Sequence, residues 1–376
     1  MRSYPAMSSR QRVVFLYAYM WMDREAVASA IRDLATALQE RDFEVVRLGI
    51  DPTRIVESST STSSKLRRLW SEVRFAISAL KYVVVQRSSI RAVISVDIPS
   101  GIGYVGTIAR KLTRGRVKDI AWVMDLYRAG DETPSIRGRF EIAALRSAGR
   151  VVTLGDCMSE LIHERFGLQS TVIPLWHGSL GSTSRHSSVP AVANDRMKVL
   201  YSGSARSIHP LNGLIHAVDE MRTTVHLDLI GSGTEMIASE ATIIELGSTN
   251  ARVGSRLPDA EFEAAVAGAD IHIVSLDIAA TGTCVPSKTY AAMAAGKPIL
   301  YLGSRSGQAA RDIIQAECGF VVDPHDTTEI RQVLRTYASG AELRALHGAN
   351  ALKFHASQRT VNVAVERWID ELDQVS

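Results

Sequence analysis

The chain has 376 residues, 46% hydrophobic and 22% charged, which excludes a disordered chain and suits two domains of ordinary size. Its three cysteines, Cys157, Cys284 and Cys318, lie far apart without a C-x-x-C pair, which argues against a disulfide framework and against zinc. The net charge of +3 is unevenly spread, since residues 1–190 carry a net +9 and the remaining residues a net −6.

Short apolar runs alternate with helical stretches along the chain. In the first half the predicted strands are VVFLYA, EVVRLGI, AVISVDI, DIAWVMDL, RVVTLG and TVIPLW. In the second half they are KVLYSG, VHLDLIG, ADIHIVSL, KPILYLG and GFVVDP. Continuous β-rich runs separated by helices predict parallel sheets covered on both faces. The first run, VVFLYAYMWM, is interpreted as a strand rather than as a signal peptide, because charged residues and a helical pattern follow it.

Residues 65–82, KLRRLWSEVRFAISALKY, form a predicted helix after a Ser/Thr-rich segment. Two interpretations stay open. The helix covers its own sheet with an apolar face, or it lies on an anionic membrane with its basic residues and an apolar face that includes Trp70 and Phe75. The predicted apolar positions are Leu66, Leu69, Trp70, Val73, Ile77 and Leu80, and the basic positions are Lys65, Arg67, Arg68, Arg74 and Lys81.

A Ser/Pro/Ala-rich stretch at 179–197 is the natural break in the chain. We predict an α/β protein of two doubly wound, Rossmann-like domains facing a cleft, with ligands beyond the carboxyl ends of the strands. The predicted limits are 1–185 for the first domain, 186–197 for the linker, 198–355 for the second domain and 356–376 for a last helix that crosses back to the first domain.

The segment VPSKTYAAMAAGKPIL (285–300) predicts a short helix with small residues on its face. Ser287 is a good N-cap, and Lys288 would add its charge to the positive helix start, where a phosphate could bind. Gly296 suits a left-handed stop, and Pro298 prevents continuation. An ordinary packing helix with an incidental lysine is the alternative.

A second loop supports the phosphate interpretation. KVLYSGSARSIHP (198–210) is a strand that ends in Ser-Gly-Ser and is followed by Arg206 and His209. Gly203 allows a close backbone approach, and Arg206 can hold a phosphate oxygen. The third glycine-containing strand end, LIGSGTE (229–235), is interpreted as a plain turn.

Taken together, these segments resemble a retaining, GT-B-type nucleotide-sugar glycosyltransferase of the family 4 kind. The similarity is greatest to the branch with a "PSK…AAGKP" segment, found among bacterial cell-surface polysaccharide enzymes. The matching segments occur in the family's order and cover most of the chain: AWVMDLYRAG, VVTLGDCMSELIHERFG, TVIPLW, KVLYSGSARSIHP, DLIGSG, ADIHIVSL, VPSKTYAAMAAGKPIL and GFVVDPHD.

The resemblance implies that the C-terminal domain binds a nucleotide diphosphate sugar, UDP- or GDP-linked, and that the N-terminal domain binds the acceptor. The sequence departs from the family pattern at Thr283 and Ala291. Many members carry a glutamate at each of these positions, and the second of the two binds the ribose of the nucleotide. The family's glycine-rich loop after the first strand and its acceptor-domain histidine are also missing.

The expected reaction is transfer of the sugar to an acceptor hydroxyl with retention, by a hexosyltransferase-type enzyme of surface polysaccharide or glycoconjugate assembly. No D-x-D tripeptide occurs, so side chains rather than a metal should neutralise the diphosphate, and no cofactor is expected. The candidate catalytic residues are Lys288, Arg206 and Asp125. The candidate donor-binding residues are Gly203, Ser204, His209, Arg256, Gly282, Thr283 and Ser287.

Two other functions stay open: a sugar-nucleotide epimerase on the same scaffold, and a non-catalytic GT-B binding subunit, which the losses at Thr283 and Ala291 favour. The expected partners are a nucleotide sugar, a sugar or lipid-linked sugar acceptor, and an anionic membrane surface through residues 65–82, with no nucleic acid. The expected location is cytoplasmic, on the inner face of the membrane.

Overall fold

The computed structural model describes residues 11–21, 26–50, 62–96, 102–126, 136–177 and 196–374. It consists of two compact units, one made of Met1–Pro174 with Val361–Ser376 and the other of Leu175–Thr360. The predicted linker, 186–197, lies outside the described residues except at its last two positions. The predicted domain limits and the cleft between the domains stay predictions.

The N-terminal unit is built on six parallel strands in the order β2-β1-β3-β4-β5-β6. Val13 to Leu16 are all buried because helices cover both faces of this sheet, as the continuous apolar runs predict. The strands are β1 (Arg12–Leu16), β2 (Glu44–Leu48), β3 (Ile90–Val96), β4 (Lys118–Val123), β5 (Arg150–Thr153) and β6 (Thr171–Val172). The helices are α1 (Ala26–Gln39), α2 (Thr62–Gln86), α3 (Gly103–Leu112), α4 (Ile136–Ser147) and α5 (Asp156–Phe166).

The C-terminal unit has a second sheet of six parallel strands in the order β12-β11-β10-β7-β8-β9. Its strands are β7 (Met197–Ser204), β8 (Val225–Ser232), β9 (Ala251–Gly254), β10 (Ile271–Ser275), β11 (Ile299–Leu302) and β12 (Gly319–Val322). Its helices are α6 (Asn212–Asp219), α7 (Thr234–Glu245), α8 (Asp259–Gly268), α9 (Lys288–Ala294), α10 (Gln308–Ala316), α11 (Thr327–Ser339) and α12 (Ala341–Gln358). Gly296 has the predicted left-handed conformation just after α9, with φ +63°.

The final helix, α13 (Val361–Asp373), belongs to the N-terminal unit. Trp368 is fully buried and contacts Trp122 of β4 edge to face, with ring centroids 5.0 Å apart. At the carboxyl end of the helix, Arg91 and Lys118 donate to the carbonyl oxygen of Leu372 at 2.8 Å. Cations stabilise the negative end of a helix dipole, so both the apolar face and the end of α13 fix it on this unit.

Within the described residues, no helix combines the length and the hydropathy required to cross a bilayer.

Replacing Trp368 with alanine should destabilise the N-terminal unit by about 3–5 kcal/mol, the usual cost of truncating a fully buried tryptophan. Chemical denaturation followed by circular dichroism measures this free energy of unfolding. Arg367→Ala is the matched control, because Arg367 is exposed on the same helix. Equal unfolding free energies for the two variants would contradict the placement of α13.

Candidate active site

The carboxyl ends of β7 and β10 lie side by side in the middle of the C-terminal sheet. On one side of this pair the sheet continues through β8 and β9, and on the other through β11 and β12. In a doubly wound sheet such a reversal of strand order opens a crevice in which ligands bind. The two segments that the sequence singles out, 203–209 and 282–288, follow these two strands. The fold therefore brings them to one place.

Lys288 is the first residue of α9, and its amino group points toward the end of β7. The Nζ atom donates to the hydroxyl of Tyr201 and, at 2.8 Å, to the carbonyl oxygen of Ser204. It also lies 4.1 Å from the centroid of the Tyr201 ring. Among the described residues no carboxylate forms an ion pair with Lys288. A half-buried cation held only by neutral oxygens leaves its charge to be neutralised by an anion.

The environment of Lys288 changes its protonation. Burial, together with the nearby charge of Arg206, lowers the pKa of Lys288 to about 7. The amino group therefore loses its proton more easily than an ordinary lysine, and an approaching anion would favour its charged form.

Gly203 makes room for this lysine. The residue has φ +103°, which favours glycine, and a Cβ built there would lie 2.9 Å from Cε of Lys288. Any larger residue at this position would displace the lysine or the strand end.

Arg206 and His209 form a tight turn after β7. The backbone N–H of Arg206 donates to Nδ1 of His209 at 3.2 Å, and the N–H of His209 donates to the carbonyl oxygen of Arg206 at 2.7 Å. Burial, with the charges of Lys288 and Arg206, lowers the pKa of His209 to about 4. The ring is therefore neutral, and because Nδ1 accepts a hydrogen bond, Nε2 carries the proton and can donate to a ligand.

The loop after β10 contributes Gly282, Thr283 and Ser287. Gly282 has φ +81°, and the hydroxyl of Thr283 donates to the carbonyl oxygen of Ala280 at 2.7 Å. The predicted cap by Ser287 is wrong: this residue already has helical dihedral angles, and its hydroxyl makes no capping hydrogen bond. A cap requires an extended backbone at this position, which Ser287 lacks.

A buried polar network holds α9 from behind. The hydroxyl of Tyr290 donates to Oδ2 of Asp312 at 2.8 Å, and the guanidinium of Arg359 binds both oxygens of the same carboxylate, at 3.1 and 2.6 Å. Gln308 donates to Oδ1 at 2.9 Å. All four side chains are buried, so the network fixes the helix that carries Lys288.

Two residues that support this site could not be recognised from the sequence. Tyr201 lies inside an apolar strand, yet its hydroxyl contacts Lys288. Glu235, in the segment that we interpreted as a plain turn, accepts the N–H of Leu211 at 3.1 Å, and its own N–H donates to the carbonyl oxygen of Ala205 at 3.2 Å. The turn after β8 therefore supports the loop after β7.

Two predicted site residues follow other strands. Arg256 follows β9, the edge strand, which β8 separates from β7. Asp125 belongs to the N-terminal unit, where it follows β4. The structure thus brings together Gly203, Ser204, Arg206, His209 and Lys288, with residues 282–287 in the neighbouring loop.

In the part of the chain that the structure describes, no group of three or more His, Cys, Asp or Glu side chains is placed to hold a metal ion.

Comparison with known families matches residues 196–339 to the model described as "Glycosyl transferases group 1". A curated relative, the probable glycosyltransferase WbjE of Pseudomonas aeruginosa, is 30% identical over 105 residues, which are 28% of this chain and 26% of the relative. The matched part thus spans about a quarter of that relative. The residues that match the family model all lie in the C-terminal unit.

Solved structures resemble the whole chain. A glycosyltransferase from Rickettsia africae has a TM-score of 0.74 at 12% identity and covers 98% of this chain and 99% of its own. HepE of Anabaena, solved in complex with UDP-glucose, scores 0.71 at 14% identity, with 96% and 99% covered. WaaG, a glycosyltransferase involved in lipopolysaccharide biosynthesis, scores 0.69 at 16% identity, also with 96% and 99% covered. The predicted α/β, GT-B fold of two doubly wound domains is confirmed.

Binding of a nucleoside diphosphate should draw a proton onto Lys288. At pH 8 the amino group is mostly neutral, since burial lowers its pKa to about 7, and the diphosphate should raise that pKa again. Titration calorimetry with UDP or GDP in buffers of different ionisation enthalpy should show an uptake close to one proton at pH 8 and far less at pH 6.

Lys288→Met is the control for this titration, since it removes the titrating group and should abolish the uptake at pH 8. An equal uptake by the wild type and by this variant would mean that another group titrates.

Proposed function

We propose that this chain is a glycosyltransferase that moves a sugar from a nucleotide diphosphate sugar to an acceptor hydroxyl. The observation that carries the proposal is the half-buried amino group of Lys288. It lacks a carboxylate partner among the described residues, and it lies at the strand-order reversal of the unit that matches the glycosyl transferases group 1 model. A diphosphate is the anion that such a donor would present there.

In the proposed reaction, the bond between the anomeric carbon and the diphosphate oxygen breaks, and a new bond forms to the acceptor oxygen. Negative charge develops on the departing diphosphate. Lys288 and Arg206 are close enough to influence each other's charge, and both would stabilise that oxyanion. The Nε2–H of His209 supplies a neutral donor for the same group. The acceptor proton passes to the departing phosphate, so a separate general base is unnecessary.

Retention of anomeric configuration, membership of family 4 and the "PSK…AAGKP" branch are finer proposals, which rest on the resemblance of the sequence. Metal independence is proposed because side chains supply the positive charge. A donor linked to UDP is supported by HepE, a structure of similar fold solved with UDP-glucose, while the GDP-linked alternative rests on the resemblance of the sequence. Ala291 cannot bind a ribose by hydrogen bonds, so another group must hold the nucleoside.

The alternatives make different demands on the site. An epimerase needs acid and base groups at the sugar itself, and the neutral His209 is the one histidine among the five residues gathered at the site. A binding subunit would hold the donor without releasing its diphosphate. The five residues gathered at the site include two cations that can face a departing diphosphate and no carboxylate, which favours transfer over epimerisation.

We also propose that α2 attaches the chain to a membrane, but through a different helix face from the one that the sequence predicts. The prediction that Phe75 belongs to the membrane face is wrong, because Phe75 is buried with Ala79 and Val83 in the core of the N-terminal unit. Trp70 and Ile77, by contrast, are 66% and 63% exposed. The side chains of 62–69, and with them Leu66, Arg67 and Leu69, lie outside the described residues.

Four exposed residues of α2 occur at helical spacing. Trp70, Arg74, Ile77 and Lys81 follow one another at intervals of four, three and four residues, which places them on one face. Large apolar groups interleaved with cations suit the boundary of an anionic bilayer. We propose that this face binds the inner membrane surface and gives access to a lipid-linked sugar acceptor.

Lys288→Ala should lower kcat for sugar transfer by about 10²–10³, the usual loss for one oxyanion-stabilising contact. The rate of nucleoside diphosphate release, measured in buffer containing EDTA, checks this, and the wild type should be active there. Lys353→Ala, which removes an exposed lysine of α12, should leave kcat unchanged. A Lys288→Ala enzyme with wild-type kcat would remove this residue from the reaction.

Wild-type protein should sediment with phosphatidylglycerol vesicles at low salt, because each basic residue near an anionic surface contributes about 1 kcal/mol. The double variant Arg74→Glu, Lys81→Glu should stay in the supernatant. Lys353→Glu, Arg367→Glu is the matched control, with the same charge change at exposed positions of α12 and α13. If the wild type fails to sediment, or if both variants lose binding equally, the proposed face is not the membrane contact.

A further inference from the structure

A second cavity of the C-terminal unit lies at the amino ends of its strands, whereas Lys288 lies at their carboxyl ends. It has a volume of about 530 Å³ and opens beside Met197, the first residue of β7. Lys288 contacts Ser204, the last residue of that strand, so β7 separates the two places by about 20 Å. The cavity is therefore distinct from the candidate active site.

Three arginines from three segments converge on this cavity. Arg196 precedes β7, Arg335 lies in α11, and Arg344 lies in the first turns of α12. Arg196 donates to the carbonyl oxygen of Arg222 at 3.2 Å. Among the described residues, neither Arg196 nor Arg335 has a carboxylate within ion-pair distance. Two guanidinium groups therefore keep hydrogen-bonding capacity for a ligand.

Asp270, the acidic residue in the cavity lining, is already used by the fold. Its Oδ2 accepts the backbone N–H of Lys198 at 2.7 Å, and its Oδ1 lies 3.9 Å from Nε of Arg344. One carboxylate against three guanidinium groups leaves a positive cavity. This is notable in the half of the chain that carries a net charge of −6, because chance alone would favour acidic surroundings there.

The other residues that line the cavity indicate which class of ligand it could bind. Met197 and Met221 are buried and form an apolar floor, while Thr223 and Ser339 bring hydroxyl groups to the rim. Guanidinium groups match phosphate oxygens in pairs, and a cavity of this size accommodates a small organic molecule.

We propose that this cavity binds a soluble phosphate ester of sugar-phosphate size. Its phosphate contacts Arg196, Arg335 and Arg344, and its organic part covers the two methionines. The site does not depend on the proposed transferase activity, because none of its residues contacts Lys288 or the loop after β7.

Titration calorimetry with glucose 1-phosphate tests this on the full chain that carries Lys288→Ala, which weakens competing phosphate binding at the active site. Binding should be detected with a Kd of about 1 mM or tighter. Arg196→Ala, Arg335→Ala should weaken it at least tenfold, while Lys353→Ala, Arg367→Ala, which also removes two exposed positive charges, should not. Circular dichroism and Tm should show that both double variants fold.

Absence of binding, or equal affinities for the two double variants, would overturn the proposal. Binding of phosphatidylglycerol vesicles that depends on Arg196 and Arg335, without binding of glucose 1-phosphate, would also overturn it, since the cavity would then recognise a lipid surface. Because the titration uses the Lys288→Ala background and measures no turnover, its outcome is independent of whether the chain is a transferase.

Discussion

The candidate site depends on the close approach of Lys288 to the end of β7. The lysine reaches Tyr201 and the carbonyl oxygen of Ser204 because Gly203 has no side chain in its path, and a Cβ there would lie 2.9 Å from the lysine. On the other side of the helix, Tyr290 is tied to the buried pair of Asp312 and Arg359. Together these contacts fix a cation where the strand order reverses.

Keeping the amino group of Lys288 charged in this position costs free energy, as its lowered pKa indicates. Burial disfavours the charged form, and Arg206 adds repulsion, so the unliganded site is destabilised electrostatically. A bound diphosphate would reverse both effects, since it supplies the missing negative charge. The same energy that lowers the stability of the empty site is thus available for binding a developing oxyanion, which is a common relation between stability and function at active sites.

Local patterns in the sequence predict eleven of the twelve described strands and the short helix α9, since continuous apolar runs and a Gly-Lys-Pro stop after a helix are strong signals. They do not predict β9, because Arg252 interrupts its segment ARVG, which therefore contains no continuous apolar run. The side-by-side placement of β7 and β10, separated by about seventy residues, is a tertiary property without a local signal. The burial of Phe75 is not predicted either, since apolar residues occupy both faces of α2 and only packing decides between them. Tyr201 and Glu235 could not be predicted as site residues, because their partners, Lys288 and Leu211, are distant in the sequence and contact them only in the folded chain.

The measurement that tests the central claim most directly is acceptor-dependent release of a nucleoside diphosphate. The chain would be incubated with UDP- and GDP-linked sugars, with and without a panel of octyl glycosides as synthetic acceptors. The account predicts that one donor and acceptor pair releases UDP or GDP at least tenfold faster than the donor alone, with formation of a new glycoside. Conversion of the nucleotide sugar into another nucleotide sugar, or binding of the donor without release of diphosphate under any of these conditions, would contradict it.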